Sequence, residues 1–175
     1  QSFQNLFQQI LTESEISIQR WRSSLLNSLG NNAKLITDII PELETLLGEQ
    51  PAVVPLPAEE SQNRFNEVFQ NFLNTLCKSD HPLVIFLDDL QWADAPSLQL
   101  IERILLSTDI KNLLIILSYR DNEIFQGDPF SLMIENFKKV QYAYHEIFLE
   151  PLTTLDIKNL VKDTLGCNEK DSLEI

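Results

Sequence analysis

Apolar residues recur every three or four positions through the first third of the chain. Phe3, Leu6, Phe7, Ile10 and Leu11 keep this spacing and so share one face of an amphipathic helix. Thr12, with Glu15 three residues on, has the form of a capping box. It predicts a second helix carrying Ile18, Trp21, Leu25 and Leu29 along one side, stopped by Gly30-Asn31-Asn32. A short helical stretch is expected around Leu35–Ile40, and another turn or two from Pro41 to Leu47. Residues 48–58 hold three prolines in eleven positions. Proline fixes φ and removes a donor, so this segment should run extended over the surface. Helical spacing returns over 59–78, with Phe65, Val68, Phe69, Phe72, Leu73 and Leu76 on one face.

Then the period changes. Leu83-Val84-Ile85-Phe86-Leu87 is a continuous apolar run ending in Asp88-Asp89, and Leu113-Leu114-Ile115-Ile116-Leu117 repeats it, ending in Ser118-Tyr119-Arg120. Such runs predict strands covered on both faces, as in a parallel sheet between helices. Asp94 can cap a helix to about Leu106, with Leu98, Ile101 and Leu105 inward. A further helix is expected over roughly 130–139 and a third, weaker strand over Glu146–Leu149. Thr153 with Asp156 should cap a last helix carrying Leu160, Val161 and Leu165 to Gly166. Strands separated by helices imply crossovers and a parallel α/β sheet.

Composition narrows the function. Lys and Arg number 13 against 26 Asp and Glu, for a formal net charge of −13, which disfavours a nucleic-acid surface built from clustered cations. No apolar run approaches the roughly 18 residues of a membrane span. Cys77 and Cys167 lie 90 residues apart, and the chain has two histidines, so neither a zinc site nor a disulfide framework is expected and a reducing, cytoplasmic setting is the simplest reading. The sequence starts at Gln1 within a helical pattern, which suggests a piece of a larger protein.

The candidate chemistry sits where the strands end. Ligands collect at the carboxyl edge of an open parallel sheet, and that edge carries Asp88 and Asp89 on one strand and Ser118 and Arg120 on the other. Adjacent carboxylates repel, and a divalent cation relieves them; Mg²⁺ takes one or two carboxylates plus waters and substrate phosphates. Asp88-Asp89 opening a turn is the simpler alternative. Other residues have plain readings. Trp92 is expected to pack the following helix, His81 to serve a turn, Cys77 to fill the core, Lys138-Lys139 to complement a helix dipole, and Arg64 to lie on a solvated helix face.

LVIFLDDLQWAD at 83–94 resembles the Walker B segment of P-loop ATPases of the AAA type, more closely the signal-transduction ATPases with numerous domains and the origin-recognition-type AAA module. ILSYRDNE at 116–123 resembles that group's sensor strand, and QNRFNEVFQNF at 62–72 and LEPLTTLDIKNLVKDTL at 149–165 are also similar to it. The likeness is greatest to the ATPase module of large bacterial multi-domain signalling kinases. It implies a three-layer parallel-sheet α/β P-loop core, here partial. Residues 1–47 would be a helical flank or insertion, 48–58 a connection, 59–150 the core segment, and 151–175 the start of a helical subdomain. It also implies ATP and Mg²⁺ as ligands and flanking kinase and sensor domains as partners. Asp88 would hold the water shell of Mg²⁺, with Asp89 beside it. Asp89 would orient or deprotonate the attacking water, where many AAA enzymes have the longer Glu. Arg120 would stabilise γ-phosphate charge, and Ser118 stands where the group often has Thr.

One departure is large. A phosphate loop needs GxxxxGK followed by Ser or Thr, and none of Gly30, Gly48, Gly127 and Gly166 precedes a Lys. By the family's order that loop would lie upstream. The segment alone should therefore bind ATP poorly and, with a strand's neighbours missing, self-associate. Two other functions compete. One is a module that binds nucleotide without turnover or only relays contacts between domains. The other is a phospho-acceptor receiver, which would need an acceptor Asp where Ser118 stands and a Lys where Glu150 precedes Pro151.

Overall fold

The computed structural model describes residues 2–165. The chain divides into two compact units, Gln1–Tyr142 and Ala143–Ile175. The first unit opens with four helices, α1 (Ser2–Leu11), α2 (Glu15–Leu29), α3 (Ala33–Thr37) and α4 (Glu42–Leu47). The N-cap of α2 is not the predicted Thr12. Ser14 has extended backbone and its Oγ accepts the Ser17 N–H at 3.3 Å, whereas the Thr12 hydroxyl turns back to donate to the Gln9 carbonyl at 2.7 Å. Thr12 still belongs to the closing turn of α1, because its own N–H also reaches Gln9, and a residue bound there cannot open the next helix. Gly30, at φ +52°, ends α2 as the sequence suggested.

Residues 48–57 form no regular element. They are held to α5 (Ala58–Leu76) by Arg64, whose Nη1 donates to the Val54 carbonyl at 2.8 Å. Arg64 is half-buried in this clamp and not the solvated surface residue expected. The helices meet over Phe7, Leu25, Ile36, Leu43, Phe72 and Leu73, all fully buried. Phe72 lies 5.8, 6.0 and 5.9 Å from the rings of Phe3, Phe7 and Phe69, in tilted arrangements that favour aromatic pairs.

β1 (Leu83–Leu87) and β2 (Leu113–Leu117) pair in parallel with Leu83 opposite Leu113 and Leu87 opposite Leu117. They are joined by α6 (Ala95–Leu106), which Asp94 caps through the Ser97 N–H at 3.0 Å, and are followed by α7 (Pro129–Lys139). Leu83, Ile85, Leu113 and Ile115 pack on the helical core. The intervening residues do not: Val84, Phe86, Leu114 and Ile116 are 45–58% exposed. Among the described residues the expectation of cover on both faces fails: one face of the sheet packs on helices and the other is open, so the expected third layer is not seen there. A continuous apolar run states that burial on both faces is possible, not that helices are present to supply it.

The second unit contains α8 (Thr154–Leu165). The predicted box opens it: the Thr153 N–H reaches the Asp156 carboxylate at 2.8 Å, and the Asp156 N–H returns to the Thr153 hydroxyl at 3.2 Å. The predicted stop at Gly166 lies outside the described residues. The third strand, over Glu146–Leu149, is absent: these residues are irregular and highly exposed. Three apolar residues before Glu150-Pro151 are too few to build a ladder without a partner strand, and the described sheet consists of β1 and β2. No described helix is long and apolar enough to cross a membrane. Helix with a small parallel sheet is compatible with part of an α/β P-loop-type core.

Candidate functional site at the carboxyl ends of the two strands

Parallel pairing with no stagger brings both strand ends to one edge. Backbone bonds continue past them: the Ser118 N–H donates to the Leu87 carbonyl at 2.9 Å, and the Leu90 N–H donates to the Ser118 carbonyl at 3.1 Å. Between these bonds the β1 chain reverses at Asp89, which adopts left-handed backbone, φ 55° and ψ 41°. Asp is among the few non-glycine residues that tolerate this region. The turn sends residues 90–92 into a short 3₁₀ turn lying across the end of β2.

All four sequence-predicted site residues meet here. Asp88 Oδ1 accepts the Ser118 hydroxyl and, at 3.0 Å, the Asp89 N–H. Asp88 is exposed and Asp89 half-buried. The Arg120 Nε lies 3.7 Å from Asp89 Oδ1. The two acidic residues therefore differ in surroundings: Asp88 is held by a hydroxyl and an amide, Asp89 by a cation.

Two further residues complete the arrangement. Gln91 Nε2 donates to Asp89 Oδ1 at 3.0 Å and to Glu123 Oε2 at 3.3 Å, while its Oε1 accepts the Arg120 N–H at 3.3 Å. Glu123 Oε1 in turn accepts from Arg120 Nη1 at 3.1 Å. Gln91 thus bridges both strand ends, and the Arg120 guanidinium is bracketed by Asp89 and Glu123. Neither residue was singled out from the sequence. For Glu123 a signal existed, since it lies three positions after Arg120 and a 3₁₀ turn over 121–123 brings such positions together. An uncharged Gln two positions after Asp89 carried none.

Trp92 is 68% exposed, and its ring lies 5.6 Å from the Arg120 guanidinium carbon. The expected packing role is thus replaced by an open cation–π contact. The plain readings of His81 and Cys77 hold: His81 closes a turn through its backbone with Lys78, and Cys77 is buried, which pushes its thiol pKa up. At the start of α6 the Ser97 hydroxyl, then its N–H, hold the Asp94 carboxyl below the ordinary carboxylate value. This anchors the helix that follows the site.

A fit to Mg²⁺ can be judged from the donor set. Among the described residues no group of three or more His, Cys, Asp or Glu side chains is arranged to cage a metal. Mg²⁺ does not require one, since it keeps waters and binds through one or two carboxylates plus phosphate oxygens. Exposed Asp88, next to a second carboxylate and a hydroxyl, suits that mode.

Among known families, residues 1–116 match the AAA ATPase domain. The matched stretch runs from α1 into β2 and includes Asp88, Asp89 and Gln91. Over 93 residues the chain is 43% identical to hybrid signal transduction histidine kinase G of Dictyostelium discoideum, covering 53% of this chain and 3% of that protein. The bacterial setting suggested by the sequence resemblance is not carried by this relative. No solved structure matches the chain. With about two thirds of its length matched by the family, the chain belongs to the AAA ATPase domain family.

Proposed function

We propose that residues 83–123 form the metal and sensor half of an ATP site in a signalling module, with the phosphate cradle supplied by sequence outside these 175 residues. The observation that carries this reading is the convergence of Asp88, Asp89, Ser118 and Arg120 at one sheet edge. Bound Mg²⁺ would offset phosphate charge and order water. Asp88, assisted by Ser118, would hold its water shell. Asp89 would position the attacking water and accept its proton. Arg120 would stabilise charge developing on the γ-phosphate. The signalling setting rests on the histidine-kinase relative, and kinase and sensor domains flanking the module are the partners it suggests.

A second reading has its own support. Asp89 is already engaged by Gln91 and Arg120, which suits a module that binds nucleotide without turnover or relays contacts between domains. Binding separates the ATP site from the pure relay. In the full-length gene product, Asp88→Ala should weaken Mg²⁺-dependent ATP binding at least tenfold, measured by calorimetry with and without Mg²⁺. Unchanged affinity in that variant would remove Asp88 from the site and leave the relay.

A further inference from the structure

Arg120 is the one cation in the described hydrogen-bonded cluster at the strand ends, a cluster that holds three carboxylates, two of which, Asp89 and Glu123, bracket the guanidinium. Asp88 and Asp89 are those expected of a metal-assisted phosphate site. Glu123 is the surplus one. Without a cation between them it repels phosphate, because both are negative. Yet it makes the shortest contact to the guanidinium, 3.1 Å to Nη1 against 3.7 Å for Asp89 at Nε. It is also fixed from behind, since its second oxygen accepts from Gln91. Its backbone N–H donates to the Arg120 carbonyl at 3.1 Å, so the 3₁₀ turn itself presents the side chain. Asp121, on the same turn, instead uses its carboxylate to accept the Asn122 N–H at 2.8 Å.

We infer that Glu123 is a resident competitor for the Arg120 guanidinium, positioned by Gln91, so that a nucleotide γ-phosphate engages Arg120 only by displacing a carboxylate. This inference rests on the assignment of Arg120 to the γ-phosphate. Its consequence is discrimination. ATP bears the cost of displacement, whereas ADP, lacking the phosphate that would reach Arg120, does not. Glu123 therefore sets the ratio of ATP to ADP affinity, holding the resting module toward the diphosphate or empty state. The pair is partly exposed, with side-chain exposures of 57% for Arg120 and 32% for Glu123, so the effect is modest: about two- to fivefold, the range of surface ion pairs.

The test measures Mg·ATP and Mg·ADP affinity by calorimetry in the full-length gene product for wild type, Glu123→Gln, Asp121→Asn and Arg120→Ala. Glu123→Gln keeps the shape and removes the charge. It should tighten ATP binding about two- to fivefold and leave ADP unchanged. Asp121→Asn removes the same charge from the same turn and should alter neither ratio nor affinity by as much as twofold. If Arg120→Ala weakens ATP but Glu123→Gln does not change the ATP to ADP ratio, the competitor role is wrong and the site assignment survives. Equal gains in Glu123→Gln and Asp121→Asn would replace a specific contact with a general field effect and also overturn it. If Arg120→Ala leaves ATP affinity unchanged, the underlying site assignment fails and takes the inference with it.

Discussion

Replacing Gln91 with glutamate turns the donor that joins the two strand ends into a carboxylate beside two others. Its Nε2 lies 3.0 Å from Asp89 Oδ1 and 3.3 Å from Glu123 Oε2. Like charges about 4 Å apart cost ~1 kcal/mol in bulk water and ~4 kcal/mol at the effective dielectric near a protein surface. The Asp89 and Glu123 side chains are 39% and 32% exposed, so about 1–2 kcal/mol per pair is appropriate once the side chains relax. Loss of the hydrogen bonds adds ~1–2 kcal/mol in total. Gln91→Glu should therefore destabilise the chain by ~3–6 kcal/mol, and Gln91→Ala, which loses the bonds without adding charge, by ~1–2 kcal/mol. Urea unfolding at neutral pH would show both as lower midpoints at unchanged slope. Raising salt to about 1 M should narrow the gap between the variants, because only the repulsive part is screened. A Gln91→Glu protein no less stable than Gln91→Ala would refute the bridging geometry.

Other substitutions probe the scaffold. Phe72→Ala removes a fully buried ring contacted by three others and should cost ~3–5 kcal/mol by the same unfolding assay. Ile115 and Ile116 are neighbours on opposite faces of β2. Ile115→Ala should cost ~2–4 kcal/mol and Ile116→Ala less than about 1 kcal/mol, while Ile116→Lys should reduce self-association seen by sedimentation velocity if the open face drives it. The Ser97 hydroxyl and N–H hold the Asp94 carboxyl below the ordinary carboxylate value. A lowered carboxylate contributes stability that is present above the unfolded value and lost as pH falls through the folded one. The stability advantage of wild type over Asp94→Asn should thus be present at pH 6 and be lost as pH falls through the lowered folded value, as read from acid titration of the melting temperature.

The parts of the fold legible in the sequence were those set by local periodicity. The runs at 83–87 and 113–117 gave both strands to the residue, and Asp94 and Thr153 gave true caps. What sequence could not supply was tertiary context. An unbroken apolar run does not say how many of its faces will meet a helix, which is why Val84 and Phe86 are open. Ile147-Phe148-Leu149 has strand composition but no described partner strand. Thr12 and Ser14 are both capping residues two positions apart, and the choice depended on where α1 released its last turn. At the site, Asp88, Asp89, Ser118 and Arg120 were legible because charged and polar residues ending apolar runs stand out. Gln91 was not, since its role exists only once the left-handed turn at Asp89 folds it back across β2. Trp92 was misjudged for a related reason: the same turn leaves its ring outside, under Arg120.

The most direct measurement of the central claim is ATP hydrolysis by the full-length gene product, compared between wild type and Asp89→Asn with ATP affinity measured alongside. Asparagine keeps the size and the Gln91 contact but cannot take a proton. If Asp89 positions and deprotonates the attacking water, turnover falls by about 10²-fold or more while ATP affinity stays within about threefold of wild type. Equal turnover in the two proteins would contradict the assignment of catalysis to this sheet edge.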